Sequence, residues 1–346
     1  MALSRREFIK KGLIVAGTAT AALGSFGFAR NRVRASDRGA GPVREPQRPI
    51  RYVDLERSGE LERREQALWD LYDPCCLCPR LCKAPRSAGI TGACSTASSF
   101  SVASVGPHHG NERPISGTRG SGNIFLSNCN LLCIFCQNWQ IAHRGDGMQT
   151  NHQELAGMML DLQRRGCHNI NLVTPTHLVP HLIKALRIAI AGGLHVPLAY
   201  NTGGYDSLEM IQLLDGIIDI YMPDFKFQDS NIAARFTHGA PDYVLHAAAA
   251  IKEMHRQVGT LQMTGGIAHR GMIVRHLVMP ENLGGADVFV RWVASELGPD
   301  THVNIMGQYW PAFRAHAFPP LDRRLTQEEF TQAMIWAREA GLRNFH

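Results

Sequence analysis

Three cysteines in Asn128-Cys129-Asn130-Leu131-Leu132-Cys133-Ile134-Phe135-Cys136 follow a C-x3-C-x2-C spacing, just after the apolar run Ile124-Phe125-Leu126. Such a run reads as a buried strand, so the thiols sit on the loop leaving its end. Thiolates this close can converge on one iron–sulfur cubane. A cubane has four irons and the loop offers three ligands, which leaves one iron open to something other than protein. Two plainer readings stand beside it. His143 would complete a Cys3His zinc site, and buried free thiols are often small core residues. The cluster is favoured because a cofactor brings a recognisable binding motif.

A second group comes earlier: Cys75-x2-Cys78-Pro79-Arg80-x-Cys82, then Gly92-x-Cys94. Cysteines two to four residues apart suggest metal ligation more than disulfides. Cys75, Cys78, Cys82 and Cys94 would satisfy either a tetrahedral zinc or a second, fully ligated 4Fe–4S cluster. Cys76 is the spare of this group, and Cys167 reads as a packed thiol.

Chemistry of this kind needs a frame. From Asn123 onward, strand-like apolar runs at 123–128, 169–174, 196–201, 217–223, 272–278 and 302–306 alternate with helical patterns. The helical patterns fall at 152–166, 178–193, 206–215, 241–258, 285–297 and 326–341. That alternation predicts βαβ units, a parallel sheet and an α/β class. Arg275 precedes an apolar run, so its head points inward from the fifth strand. A buried arginine demands an anion, and Asp224 or a ligand carboxylate would serve.

The cysteine loop, with Phe135 before its third cysteine, resembles that of the radical S-adenosylmethionine (SAM) superfamily. More narrowly, residues from about Asp73 onward resemble the branch related to the pyruvate formate-lyase activating enzyme. The matching stretches are Cys75-Cys76-Leu77-Cys78-Pro79-Arg80, Pro114-Ile115-Ser116-Gly117, Asn169 to His177, Tyr221-Met222-Pro223-Asp224-Phe225-Lys226 and Arg275 to Pro280. The resemblance implies a partial (β/α)6 TIM-like barrel with a small N-terminal Cys-rich module. It implies a 4Fe–4S cluster on Cys129, Cys133 and Cys136, whose open iron is chelated by SAM. One electron then cleaves SAM to a 5′-deoxyadenosyl radical for hydrogen abstraction, with a glycyl-radical-activase-like protein modification as one outcome. The alternative is an iron–sulfur electron carrier that never turns SAM over.

In such barrels the chemistry sits at the C-terminal strand ends. Lys226 of Asp224-x-Lys226 resembles the family lysine that contacts the SAM carboxylate. The Gly-Gly-Glu run that holds the SAM amine in the activating enzymes is absent, and Thr176 of Thr174-Pro175-Thr176-His177, or backbone carbonyls, would stand as its substitute. Thr176, Asn201, Asp224 and Lys226 are therefore the candidate cofactor contacts, and Lys226 and Arg275 the candidate catalytic residues. His177 reads as a structural histidine, and Gly203-Gly204 as either a close approach to ligand or an ordinary turn. Asn304, Gln308, Tyr309 and Arg314 are expected around the substrate cavity.

Composition sets the limits. The 346 residues are 45% hydrophobic and 19% charged, an ordinary globular balance. The formal charge of +6 belongs to residues 1–35, which hold seven basic residues and one acidic one, leaving 29 of each sign in the remainder. Nucleic acid is therefore not an expected partner. Ser4-Arg5-Arg6-Glu7-Phe8-Ile9-Lys10-Lys11, a mildly apolar stretch and the small residues of Val33-Arg34-Ala35 resemble a twin-arginine leader, a single transmembrane anchor being the alternative. The expected destination is the periplasm or cell envelope, with a cytoplasmic location as the alternative. Expected divisions are a signal segment at 1–35, linker and short helix at 36–72, a Cys-rich module at 73–118 and the barrel at 119–346. Expected partners are a protein or small-molecule substrate, an electron donor and the twin-arginine export machinery. No dinucleotide fingerprint, Walker loop or H-E-x-x-H helix occurs.

Overall fold

A computed structural model describes residues 50–346; the leader expected at 1–35 lies outside the described residues. Among the described residues ten strands form one sheet: β1 Phe100–His108, β2 Ser121–Leu126, β3 Met148–Thr150, β4 Ile170–Val173, β5 Leu198–Thr202, β6 Ile220–Pro223, β7 Gln262–Thr264, β8 Ile267–Leu277, β9 His302–Met306 and β10 Asn344–Phe345. Their order is β10-β9-β8-β6-β5-β4-β2-β1-β3, with β7 paired to β8. From β2 through β4, β5, β6 and β8 to β9 every pairing is parallel. These six strands are the parallel sheet expected from the alternation of the sequence, in the partial (β/α)6 barrel that the resemblance implies. β1 adds to it antiparallel, hydrogen-bonded to β2 on one side and β3 on the other.

Helices around the sheet include α1 Arg51–Arg57, α2 Glu60–Tyr72, α3 His152–Arg164, α4 Val179–Ala191, α5 Leu208–Leu213, α6 Tyr243–Val258, α7 Ala286–Glu296 and α8 Gln327–Glu339. Several of their starts are written locally. Asn151 Oδ1 accepts from Glu154 N (2.9 Å) while Glu154 Oε2 accepts from Asn151 N (3.2 Å), a capping box that opens α3. Thr326 and Glu329 do the same for α8. The helices bury their apolar faces: Leu155, Met159 and Leu162 of α3 and Leu182, Ala185, Leu186 and Ala189 of α4 all belong to the core.

Period-2 alternation then sorts the barrel interior. Ala199 and Asn201 share one face of β5, Ile220 and Met222 lead to Asp224 on β6, and Ile273, Arg275 and Leu277 share one face of β8. The first members of these series, Ala199, Ile220, Met222 and Ile273, pack with Ile115 as a separate apolar plug inside the barrel. The last members, Asn201, Asp224 and Arg275, are polar and stand where the strands end. An amide layer accompanies the plug. Asn111 and Asn171 both donate to Asn123 Oδ1, at 2.9 and 3.1 Å.

Candidate active site

The strand ends enclose a cavity of about 300 Å³, lined among others by Cys129, Cys133, Cys136, Asn201, Asp224, Lys226 and Arg275. The cysteine loop reaches it by turning sharply: Asn128 and Leu132 have φ of 72° and 52°. A backbone amide is spent on sulfur there, Leu131 N lying 3.4 Å from Cys129 Sγ. Phe135 anchors the loop beneath, edge-on to Phe227 at 5.9 Å. Burial pushes all three thiols up, Cys136 to about 11, and the Lys226 ammonium pulls each of them back. Three sulfurs on one cavity wall, approached by an amide and a cation, fit a thiolate-ligated cluster. Among the described residues no set of three His, Cys, Asp or Glu side chains is gathered to hold a single metal ion. His143 turns its Nε2 to the Cys133 carbonyl at 3.0 Å, so it does not complete a Cys3His set.

The charged residues form one connected group. Arg275 Nε donates to Asp224 Oδ1 at 2.7 Å, and Lys226 Nζ to Asp224 Oδ2 at 2.5 Å. Arg275 Nη2 donates to Asn201 Oδ1 at 2.5 Å. Burial alone would raise the Asp224 carboxyl, but Arg275 and Lys226 overcome it and hold the carboxyl below its ordinary range. Burial works against the Lys226 ammonium, while Asp224 and Cys133 hold its pKa above the ordinary lysine value. Behind the group, Tyr243 Oη accepts from Lys226 N at 2.8 Å and lies 3.0 Å from the Gly203 and Asp224 carbonyls. Gly204 adopts φ +83°, and a Cβ there would collide with the Asp224 carbonyl oxygen. Gly204 is thus a packing requirement, whereas Gly203 lines the cavity.

Two expectations need correcting. Thr176 is buried away from the cavity and donates to Asp206 Oδ1 at 2.7 Å, where Tyr200 also donates. Val173 and Thr174 line the cavity at this strand end, Thr174 held at φ 61° with its N–H on the Asn201 carbonyl. A β-branched residue in that region is a genuine conformational outlier. Asn304 is the second: it faces inward but donates to Glu112 Oε1 at 2.8 Å instead of lining the cavity, although Gln308 does line it. Tyr309 is buried, its hydroxyl on the Leu321 carbonyl. His177 is buried with Nε2 2.8 Å from the Ser127 carbonyl, in keeping with a structural histidine.

Sequence reasoning missed Glu112. Its Oε1 lies 4.0 Å from Arg275 Nη1, and its buried Oε2 has no partner. An acid two residues before Pro114, at the start of a short helical turn, is the available signal.

Residues 123–269, which take in the cysteine loop and the strands from β3 to β7, match the family model of the radical SAM superfamily. This part of the chain is similar to the radical SAM superfamily. An uncharacterized protein of Methanocaldococcus jannaschii is 31% identical over 244 residues, 68% of this chain and 66% of that protein. Among solved structures, the FeFe-hydrogenase maturase HydG from Carboxydothermus hydrogenoformans aligns with a TM-score of 0.43 at 11% identity, over 64% of this chain and 51% of that one. Methylornithine synthase aligns with a TM-score of 0.40 at 13% identity, over 64% and 70%. The chain spans about half the length of the HydG structure.

Proposed function

We propose that this protein is a radical SAM enzyme whose cluster is held by Cys129, Cys133 and Cys136 and whose SAM lies in the cavity beside them. The observation that carries the reading is the shared cavity: three cysteine sulfurs and the Lys226–Asp224–Arg275 group open onto one space at the strand ends. When bound, such a cluster supplies the electron that cleaves SAM to methionine and a 5′-deoxyadenosyl radical, which takes a hydrogen atom from substrate. Lys226 is the group suited to a SAM carboxylate, because a charge-assisted contact in a cavity shielded from water is strong. Asn201 orients Arg275, and Arg275 occupies one carboxylate oxygen of Asp224 while the other faces Lys226. Asp224 keeps Lys226 protonated until a ligand carboxylate competes for it.

The substrate is proposed to be a protein or small molecule that donates a hydrogen atom, and glycyl-radical activation is the narrower form of the reading. The leader at 1–35 supports export by the twin-arginine machinery, with the electron donor then in the envelope. Anaerobic reconstitution with iron and sulfide, followed by reductant and SAM, tests the proposal. The expected product is 5′-deoxyadenosine, lost in Cys133→Ala. A reducible cluster that yields none, and whose spectrum SAM leaves unchanged, would identify an electron carrier instead.

A further inference from the structure

The cysteine group ahead of the barrel surrounds an arginine that has no carboxylate. Arg86 is 1% exposed. Its Nη1 donates to the His177 carbonyl at 2.7 Å, its Nη2 lies 3.1 Å from Cys94 Sγ, and its guanidinium stacks 4.8 Å from the Tyr72 ring centroid. Its Nε is buried with no partner. Its contacts are the His177 carbonyl, the Cys94 sulfur and the Tyr72 ring, with no aspartate or glutamate among them. Arginine does not deprotonate in proteins, and an unpaired buried charge is strongly disfavoured. The missing anion must therefore come from sulfur.

The backbone brings the sulfurs together for that purpose. Cys75 N donates to the Ala84 carbonyl at 3.1 Å and Lys83 N to the Cys75 carbonyl at 3.0 Å, closing a loop that returns Cys82 to Cys75. Leu81, Lys83 and Ser95 take positive φ values of 42°, 52° and 59°. Three non-glycine residues in that region within one short segment indicate a loop shaped around something. Cys75, Cys78 and Cys94 are buried and Cys82 is exposed. Cys76 stands apart, its sulfur 3.0 Å from Lys83 Nζ.

We propose that Cys75, Cys78, Cys82 and Cys94 ligate a second iron–sulfur cluster of the 4Fe–4S type, and that Arg86 is buried against its negative charge. A 4Fe–4S cubane held by four thiolates carries the net negative charge that Arg86 lacks a partner for. With every iron held by protein, this centre has no open position. Arg86, as a donor to the Cys94 sulfur, is a positioning residue that also raises the cluster's reduction potential. The proposal does not depend on the SAM chemistry assigned to the other loop.

The test uses the full chain with Cys129, Cys133 and Cys136 all replaced by alanine, purified anaerobically. It should retain about four irons and about four sulfides per chain, and further Cys75→Ser and Cys94→Ser substitutions should abolish them. A triple variant that is colourless, whether carrying zinc or no metal, overturns the proposal. In the triple-alanine background, Arg86→Leu should lose most of the iron while circular dichroism shows an intact barrel. If that variant does not fold, Arg86→Lys decides: it keeps the charge but loses the planar fork, and should keep the iron while shifting the midpoint potential. An unchanged potential in Arg86→Lys, or undiminished iron in a folded Arg86→Leu, sinks the role given to Arg86.

Discussion

Arg275 on β8 and Asp224, just past β6, are joined by a side-chain contact of 2.7 Å, and beside it Phe225 N donates to the Arg275 carbonyl at 2.8 Å. Their side chains are only 13% and 12% exposed. The pair therefore welds two strands and sets the orientation of Lys226. Removing one member of a buried pair strands the other, a loss of roughly 3–5 kcal/mol. Asp224→Asn leaves both Arg275 and Lys226 without their shared carboxylate, and a destabilisation of about 3 kcal/mol is expected in urea unfolding. Lys226→Met leaves the Arg275–Asp224 contact intact and should cost clearly less; equal losses would contradict this ordering.

Lys226→Met should instead act on the ligand. With its ammonium gone, SAM affinity is expected to fall on the order of tenfold or more, the loss of one charge-assisted contact. Iron content should match the parent. Isothermal titration and iron analysis of the same preparation separate the two effects.

Thr176→Val is expected to report on stability and leave SAM binding alone. Asp206 loses one donor while Tyr200 stays on the same oxygen, so the cost is one hydrogen bond, about 1 kcal/mol. A large change in SAM affinity with an unchanged melting temperature would return Thr176 to the ligand site.

Mild acid should loosen the barrel through its buried histidines. Burial lowers His276 to about 4 and His181 to about 3, from an ordinary 6.5. Because the native pKa lies below the unfolded one, the native state favours the neutral ring. Their contribution is complete above about pH 6.5 and is lost as pH falls toward 4. A tenfold difference in proton affinity between the two states is worth about 1.4 kcal/mol. His276→Gln should flatten the fall in unfolding free energy between about pH 6.5 and 4; an unaltered slope would count against a buried neutral His276.

Arg80 clamps the cysteine loop from outside: Nε donates to the Asn130 carbonyl at 2.5 Å and Nη1 to the His238 carbonyl at 2.6 Å. Arg80→Ala should leave the barrel folded but speed iron loss to a chelator by roughly tenfold, the effect of about 1.4 kcal/mol. Release at the parent rate would show that the clamp is dispensable.

The barrel is legible in the sequence because parallel strands buried on both faces leave apolar runs such as Ile124-Phe125-Leu126. β1 escapes because Phe100-Ser101-Val102-Ala103-Ser104-Val105-Gly106-Pro107-His108 is half polar and contains proline, which antiparallel strands outside the parallel core tolerate. α1 falls in a stretch that reads as linker, since Tyr52 is its one buried residue. Asn201, Asp224 and Arg275 can be placed inward by alternation along their strands. Thr176 cannot, because it lies in a 3-10 turn beyond β4, where alternation no longer applies. Glu112 depends on partners far along the chain, Asn304 and Arg275, and no local pattern announces that.

The interlock between Arg80 and the cysteine loop, together with the bond from Asn128 Nδ2 to Thr96 Oγ1 at 3.1 Å and the pairing of β1 with β2, bears on where the smallest working unit begins. Trimming the chain back to Asn123 would strip β2 of its neighbour and leave a bare row of amides and carbonyls open to other chains. The segment from Arg80 through β1 is thus a brace for the sulfur ring, and a shortened version should clump instead of merely working more slowly.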